Sequence, residues 1–212
     1  MGNTQTWALI HAERGAMADT LASLTPEQWA SPSLCAGWSV HDAAAHILTG
    51  AEQTPRNFVT RLAANRFRFD AMMDAEARRL RSVSSDEIVA RLRSRTTTTN
   101  RPPAPVAVML GEIVVHSEDI RRPTGADGSP APEALVGALD LFAKMGFPVG
   151  AKRRIDGVRL VASDVGWSHG DGPLAEGSAL SLLLTMTGRP DGLAGLTGEG
   201  VGVLGQRTTP TS

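Results

Sequence analysis

The chain has 212 residues, 42% hydrophobic and 20% charged, with 21 basic side chains against 22 acidic ones. That composition is globular rather than disordered. A net charge of −1 excludes a strongly basic nucleic-acid binder and a polybasic membrane-surface protein. One cysteine, Cys35, leaves no internal disulfide to form. The N-terminal residues show no basic segment leading into an apolar run, and no stretch nears the roughly 18 apolar residues of a membrane span. A cytoplasmic protein without a signal peptide is therefore expected.

The first 122 residues read as helical. Trp7, Ile10, Met17, Leu21 and Leu24 recur near the 3.6-residue period of an amphipathic helix. Thr25-Pro26 suits an N-cap with proline at the first helical position, and residues 31–37 form a loop. Ser39 with Asp42 three residues on resembles a capping box, so a helix should begin near Val40 and run through His46. Pro55 should restart or kink it. Phe58, Leu62, Phe67 and Met72 continue the pattern to about Leu80. Ser84 or Ser85 caps a shorter helix over 86–95. The threonine run at 96–99 and Pro102-Pro103 break the chain. A last helix is expected over 105–120, stopped by Pro123 and Gly125. Four main helices with short connections predict an up-and-down four-helix bundle over 1–124.

Residues 125–132, rich in Gly and Pro, read as a linker. A helix is expected over 132–145, then an alternating strand over 155–162 and a second over 166–170 ending in Asp171-Gly172-Pro173. Residues 178–187 suit a buried helix ended by Gly188 and Pro190. A last strand or hairpin is expected over 193–204. Together these predict a small α+β domain over 126–212. Gly198-Glu199-Gly200-Val201-Gly202 lacks a following Lys-Ser/Thr and any expected helix behind it, which argues against a phosphate loop.

Glu112 and His116, four residues apart on the predicted 105–120 helix, share a face and can ligate one divalent metal. Val108, Ile113 and Val115 surround them, and an ionised Glu on an apolar stripe is costly unless paired or metal-bound. The competing reading is a plain Glu–His hydrogen bond at the surface. His46 sits in Ala43-Ala44-Ala45-His46-Ile47-Leu48, where a satisfied core histidine is the plainer reading. With the Glu112/His116 pair it completes a His₂-Glu set that leaves a coordination position open, as catalytic zinc sites do.

His41 should lie on another face of its helix, as a first-turn surface residue. Asp119 could hydrogen-bond His116 from behind, or simply stand exposed at the helix end. Arg121 and Arg122 suit the helix dipole as caps. Arg189 follows a glycine at a predicted helix end, placing it either on a substrate carboxylate or on the helix C-terminus. Cys35 reads as a small hydrophobe, Trp38 as packing for the His46 helix, and His169 as a surface strand residue.

Two of these segments resemble a known family. Gly37-Trp38-Ser39-Val40-x-Asp42-x-x-x-His46 and Glu112-x-x-x-His116-x-x-Asp119-Ile120-Arg121-Arg122 are similar to the motifs of the DinB-like metal-binding bundles. They resemble in particular the actinobacterial branch related to mycothiol-dependent maleylpyruvate isomerase. Met186-Thr187-Gly188-Arg189-Pro190 and Leu196-x-Gly198-x-Gly200 resemble that branch's sterol-carrier-like C-terminal domain. The resemblance implies a divalent site at His46, Glu112 and His116, with zinc the first choice and nickel or iron next. It also implies mycothiol as cosubstrate, its thiolate adding to a cis double bond that rotates before elimination. Arg189 would serve as a catalytic residue brought by the C-terminal domain. The expected partners are a small-molecule thiol and an electrophile, neither nucleic acid nor membrane, with a homodimer left open. Isomerase and thiol S-transferase are both open within this class. A non-catalytic metal-binding bundle, acting as sensor or small-ligand binder, is the alternative, and a carrier of apolar ligands is a third reading.

Overall fold

Local signals set the helices of the first unit, which spans Met1–Ser129 in a computed structural model that describes residues 1–208. α1 (Asn3–Ser23) is followed by α2 (Pro26–Ala30), which starts on a capping box of Thr25 and Gln28. α3 (Val40–Glu52) starts on the expected box: Ser39 N–H donates to Asp42 Oδ2 at 3.0 Å, and Asp42 N–H to Ser39 Oγ at 3.1 Å. α4 (Pro55–Ala64) and α5 (Phe69–Leu80) follow, then α6 (Ser85–Ser94), capped by Ser84, and α7 (Val106–Thr124).

α1 and α3 each pack on both α6 and α7. Ile10, Met17 and Leu21 from α1 meet Leu48 from α3, Ile88 and Leu92 from α6, and Leu110, Val114 and Ile120 from α7 in a fully buried core. α4 and α5 carry the chain across from α3 to α6. The single pattern expected over 55–80 is two helices, because Arg66 and Phe67 both take left-handed backbone (φ 56° and 60°). No glycine marks that break, and Phe67 is left exposed.

α7 also departs from expectation. Pro123 lies inside its last turn, and the helix ends one residue later at left-handed Gly125 (φ 66°). A proline has no N–H for the carbonyl four residues back, here that of Asp119. That carbonyl instead accepts the amide of Leu34 at 3.1 Å. A loop bond thus replaces the missing helical one. Among the described residues of this unit the only bridge outside helices is the isolated pair Pro32–Ser39.

The second unit, Pro130–Ser212, is described to residue 208, so the final four positions of the expected C-terminal domain lie outside the described residues. Its elements are α8 (Pro132–Phe142), α9 (Ala151–Ile155), β1 (Arg159–Ala162), β2 (Trp167–His169), β3 (Leu174–Gly177), α10 (Ala179–Met186), a 3₁₀ turn (Pro190–Gly195), β4 (Leu196–Thr197) and α11 (Gly200–Thr208). The sheet runs β2-β1-β3-β4, with β1 parallel to β3 and both outer pairings antiparallel. α10 packs between α8 and the sheet strands β1 and β3.

Three expectations need correction here. Residues 151–155 are helical, so the strand begins only at Arg159. β3 was not anticipated. Residues 193–204 are a 3₁₀ turn, a two-residue strand and the start of a helix, not a hairpin. The glycines that suggested a strand answer to close packing instead. A Cβ at Gly192 would lie 2.4 Å from the Ser181 carbonyl oxygen, and one at Gly200 would lie 2.6 Å from that of Pro173. A helix does follow Gly198-x-Gly200, contrary to the sequence reading, but the Lys-Ser/Thr of a phosphate loop is still missing. No helix among the described residues is long and apolar enough to cross a membrane.

Candidate metal centre

α3 and α7 pack side by side, and the apolar residues flanking each polar side chain fix which way it faces. Val40, Ala43, Ala44, Ile47 and Leu48 are buried around His46; Ile113, Val114 and Val115 are buried around Glu112 and His116. The three polar groups therefore meet where the two helices meet. His46 Nε2 lies 3.0 Å from Glu112 Oε2, and His116 Nε2 lies 3.5 Å from the same oxygen. The ligand atoms of all three residues lie within 4.8 Å of one another. The side chain of Glu112 is 36% exposed against 11% for His116, so solvent reaches the centre at the carboxylate.

This spacing passes a chemical test for a metal. Tetrahedral ligands at the ~2.05 Å typical of zinc sit about 3.3 Å apart, and the two carboxylate–imidazole separations bracket that value. The donor set, two imidazoles and a carboxylate, is that of open zinc sites and is also compatible with nickel or iron.

Asp119 has a fully buried carboxylate, and its Oδ2 lies 2.8 Å from His116 Nδ1. A carboxylate only accepts, so Nδ1 carries the hydrogen, and Nε2 is turned toward Glu112. Burial alone would lower the His116 pKa, but hydrogen bonds to Asp119 and Glu112 outweigh it and raise it to about 9. Burial would likewise raise Glu112, yet hydrogen bonds to His116 and His46 hold it well below the usual carboxylate range. His46 is pushed down, first by burial and then by the charge on His116.

With its folded pKa raised above an unfolded value near ~6.5, His116 contributes stability that is fully present below that pH and is lost as pH rises through about 9. NMR titration of the metal-free protein should find one imidazole titrating near 9 and another below the ordinary histidine range. An ordinary value for His116 would contradict its bond to Asp119.

Sequence reasoning missed the aromatic side of this centre. Trp38 stacks on the His116 ring (5.9 Å between centroids, 16° between planes) and meets the His46 ring at 5.2 Å. Its place just before the helix N-cap suggested packing alone. His41 is half-buried rather than a free surface residue, because its Nε2 lies 2.9 Å from the Val83 carbonyl oxygen.

Arg121 is not a solvent-facing cap. Its guanidinium is buried between Glu13 on α1, at 2.5 Å, and Glu118, at 3.2 Å. Arg122 does reach back, at 3.7 Å, to Glu118. Cys35 is half-buried in the loop before α3. In the second unit, Arg189 donates from Nη1 to the Thr187 carbonyl oxygen at 2.7 Å, at the C-terminus of α10. His169 is exposed on β2, beside the Trp167 ring.

Residues 10–109 match the mycothiol maleylpyruvate isomerase N-terminal domain family. The match covers 100 of the 212 residues, all of them inside the first unit. The Ser39–Asp42 capping box and α3, which carries His46, fall within the matched span, whereas most of α7, with Glu112 and His116, lies beyond it. Two solved structures share the fold of this chain. A histidine-to-alanine mutant of the mycothiol-dependent maleylpyruvate isomerase is 14% identical, with a TM-score of 0.66, over 94% of this chain and 93% of that one. Another crystal structure of the mycothiol-dependent maleylpyruvate isomerase is 13% identical, with a TM-score of 0.59 over the same shares. Comparison with curated protein sequences finds no match.

Proposed function

We propose that this protein is a divalent-metal enzyme that uses a low-molecular-weight thiol, mycothiol, either to isomerise a small electrophile or to transfer the thiol onto it. The observation that carries the reading is the convergence of His46 Nε2, His116 Nε2 and Glu112 Oε2 on one partly open position. These three residues would hold the ion, with zinc the first choice. When bound, a divalent ion would keep a thiol of ordinary pKa near ~8.5 in its thiolate form at neutral pH.

The side chains have separate tasks. Asp119 fixes the His116 ring so that Nε2 faces the centre. Glu112 supplies negative charge that offsets the ion's. In an isomerisation the thiolate sulfur bonds to one carbon of a cis double bond and the π pair moves to the neighbouring group. The remaining single bond rotates, and expulsion of the thiolate restores the double bond as trans. Nothing is oxidised and the thiol is regenerated. In an S-transfer the new C–S bond persists and another group leaves the electrophile.

Metal analysis of the purified protein, followed by mycothiol-dependent turnover against maleylpyruvate and a panel of electrophiles, tests the reading. A metal-free protein that gains no bound ion on reconstitution would sink it. Because His116 is protonated at neutral pH in the metal-free state, ion binding should release a proton and weaken as pH falls. Arg189 is the proposed partner for a substrate carboxylate. Arg189→Ala should cost about 1 kcal/mol of stability by losing the Thr187 bond. It should also lower kcat/KM by about tenfold or more, which is the part a mere cap would not change.

A further inference from the structure

One residue of α7 holds two different parts of the first unit. The Asp119 carboxylate lies against His116 Nδ1 at 2.8 Å, and the Asp119 carbonyl accepts the Leu34 amide at 3.1 Å. In an uninterrupted helix that carbonyl would serve the amide of residue 123, but Pro123 has none, and its ring crowds the carbonyl four residues back.

Leu34 belongs to a loop that is closed on itself. Val40 N–H donates to Ser31 O at 2.9 Å, Ser33 N–H to Trp38 O at 2.9 Å, and Trp38 N–H to Cys35 O at 3.0 Å. Ser33 Oγ adds a bond to Trp38 O at 3.0 Å. Gly37 makes the turn with a φ of 78° that side-chain-bearing residues rarely adopt. A loop tied this way moves as one body. Leu34 attaches that body to α7, and Trp38 presents its indole from it to both imidazoles.

We propose that Pro123 and Asp119 position Trp38 as a wall of the metal centre. Proline keeps the Asp119 carbonyl available, the carbonyl holds the loop, and the loop sets the indole against His46 and His116. The wall excludes water from one side of the imidazole pair, so a single thiolate is favoured over a shell of waters. This consequence for catalysis rests on the metal reading given above; the docking of the loop does not.

The test labels the protein with 5-fluorotryptophan. The chain has four tryptophans, and the ¹⁹F resonance lost in Trp38→Phe is that of Trp38. In metal-free Pro123→Ala, the amide of residue 123 competes for the Asp119 carbonyl. The Trp38 resonance should shift or broaden while the other three hold. The Leu34 amide should exchange at least tenfold faster with solvent. The helical signal should persist, because Ala is the better helix former. Leu34→Pro removes the donor from the opposite side and should move the same resonance, which keeps the test decisive if one variant folds poorly. An unmoved Trp38 resonance and an equally protected Leu34 amide in folded Pro123→Ala would overturn the proposal.

Cobalt(II) added to the unsubstituted protein separates the two readings. A paramagnetic shift of Trp38 larger than that of the other tryptophans supports an ion held by His46, Glu112 and His116. Its absence overturns the metal reading, and the Pro123→Ala result still decides the docking. With zinc bound, Pro123→Ala should keep its metal content and lose about tenfold in thiol-dependent kcat/KM.

Discussion

Replacing His116 by Ala is expected to remove bound metal and thiol-dependent turnover together, by more than a hundredfold in each, while the helical signal stays. The imidazole is one of three donors around the proposed ion, and loss of outlying support alone costs 10- to 100-fold in such sites. Ala is favoured in a helix interior, so α7 itself should persist. The variant also leaves the buried Asp119 carboxylate without its imidazole, so a modest loss of thermal stability should accompany it. Glu112→Gln controls for this, because it keeps the shape of the side chain and removes the charge. It should weaken the ion by at least tenfold without touching Asp119. Metal content equal to that of the unsubstituted protein in both variants would exclude this centre as the binding site.

Arg121→Ala should destabilise the first unit by about 3–5 kcal/mol, measured by urea unfolding. Its guanidinium is shared by Glu13 and Glu118, and all three side chains are buried. Burial pushes the Glu118 carboxyl up even with Arg121 beside it. Without the cation, two carboxylates face each other in a poorly solvated place, and one must protonate or the helices must part. Arg121→Met combined with Glu13→Gln and Glu118→Gln removes the three buried charges, leaving the more exposed Arg122, and should cost much less than the single substitution. If Arg121→Ala unfolds within 1 kcal/mol of the parent, water reaches this network and it is not a buried triad.

The sequence made local features legible and left distant ones hidden. Ser39 and Asp42 announce the start of α3 because both bonds of the capping box lie within four residues. Glu112 and His116 are readable for the same reason, as their relation is fixed by one helical turn. His46 joins them from 66 residues before Glu112, and only its apolar surroundings and the family motif pointed to it. Arg121 could not be read this way. Its partner Glu13 is 108 residues away, and a helix-end arginine has an ordinary local explanation. Trp38 reads as packing alone because nothing nearby in the chain reveals the two rings it faces. Pro123 reads locally as a helix stop, but the bond it forgoes concerns Leu34, far back in the sequence. In the second unit, glycines at 192–202 spoke of turns and strands. Their actual constraint is the closeness of other backbone, which is invisible without the fold.

The gap of 66 residues between His46 and Glu112 has a thermodynamic side. An ion gripped by both ends closes that stretch into a ring that contains α4, α5 and α6. It would act as a removable cross-link, opened by a chelator instead of a reductant. Because the folded bundle assembles the grip and the unfolded chain scatters it, the unfolding midpoint of the first unit should climb with the logarithm of free ion. At a hundred times Kd the gain is about 2.7 kcal/mol. A melting curve recorded over an ion titration would therefore yield the affinity directly, before any substrate has been found.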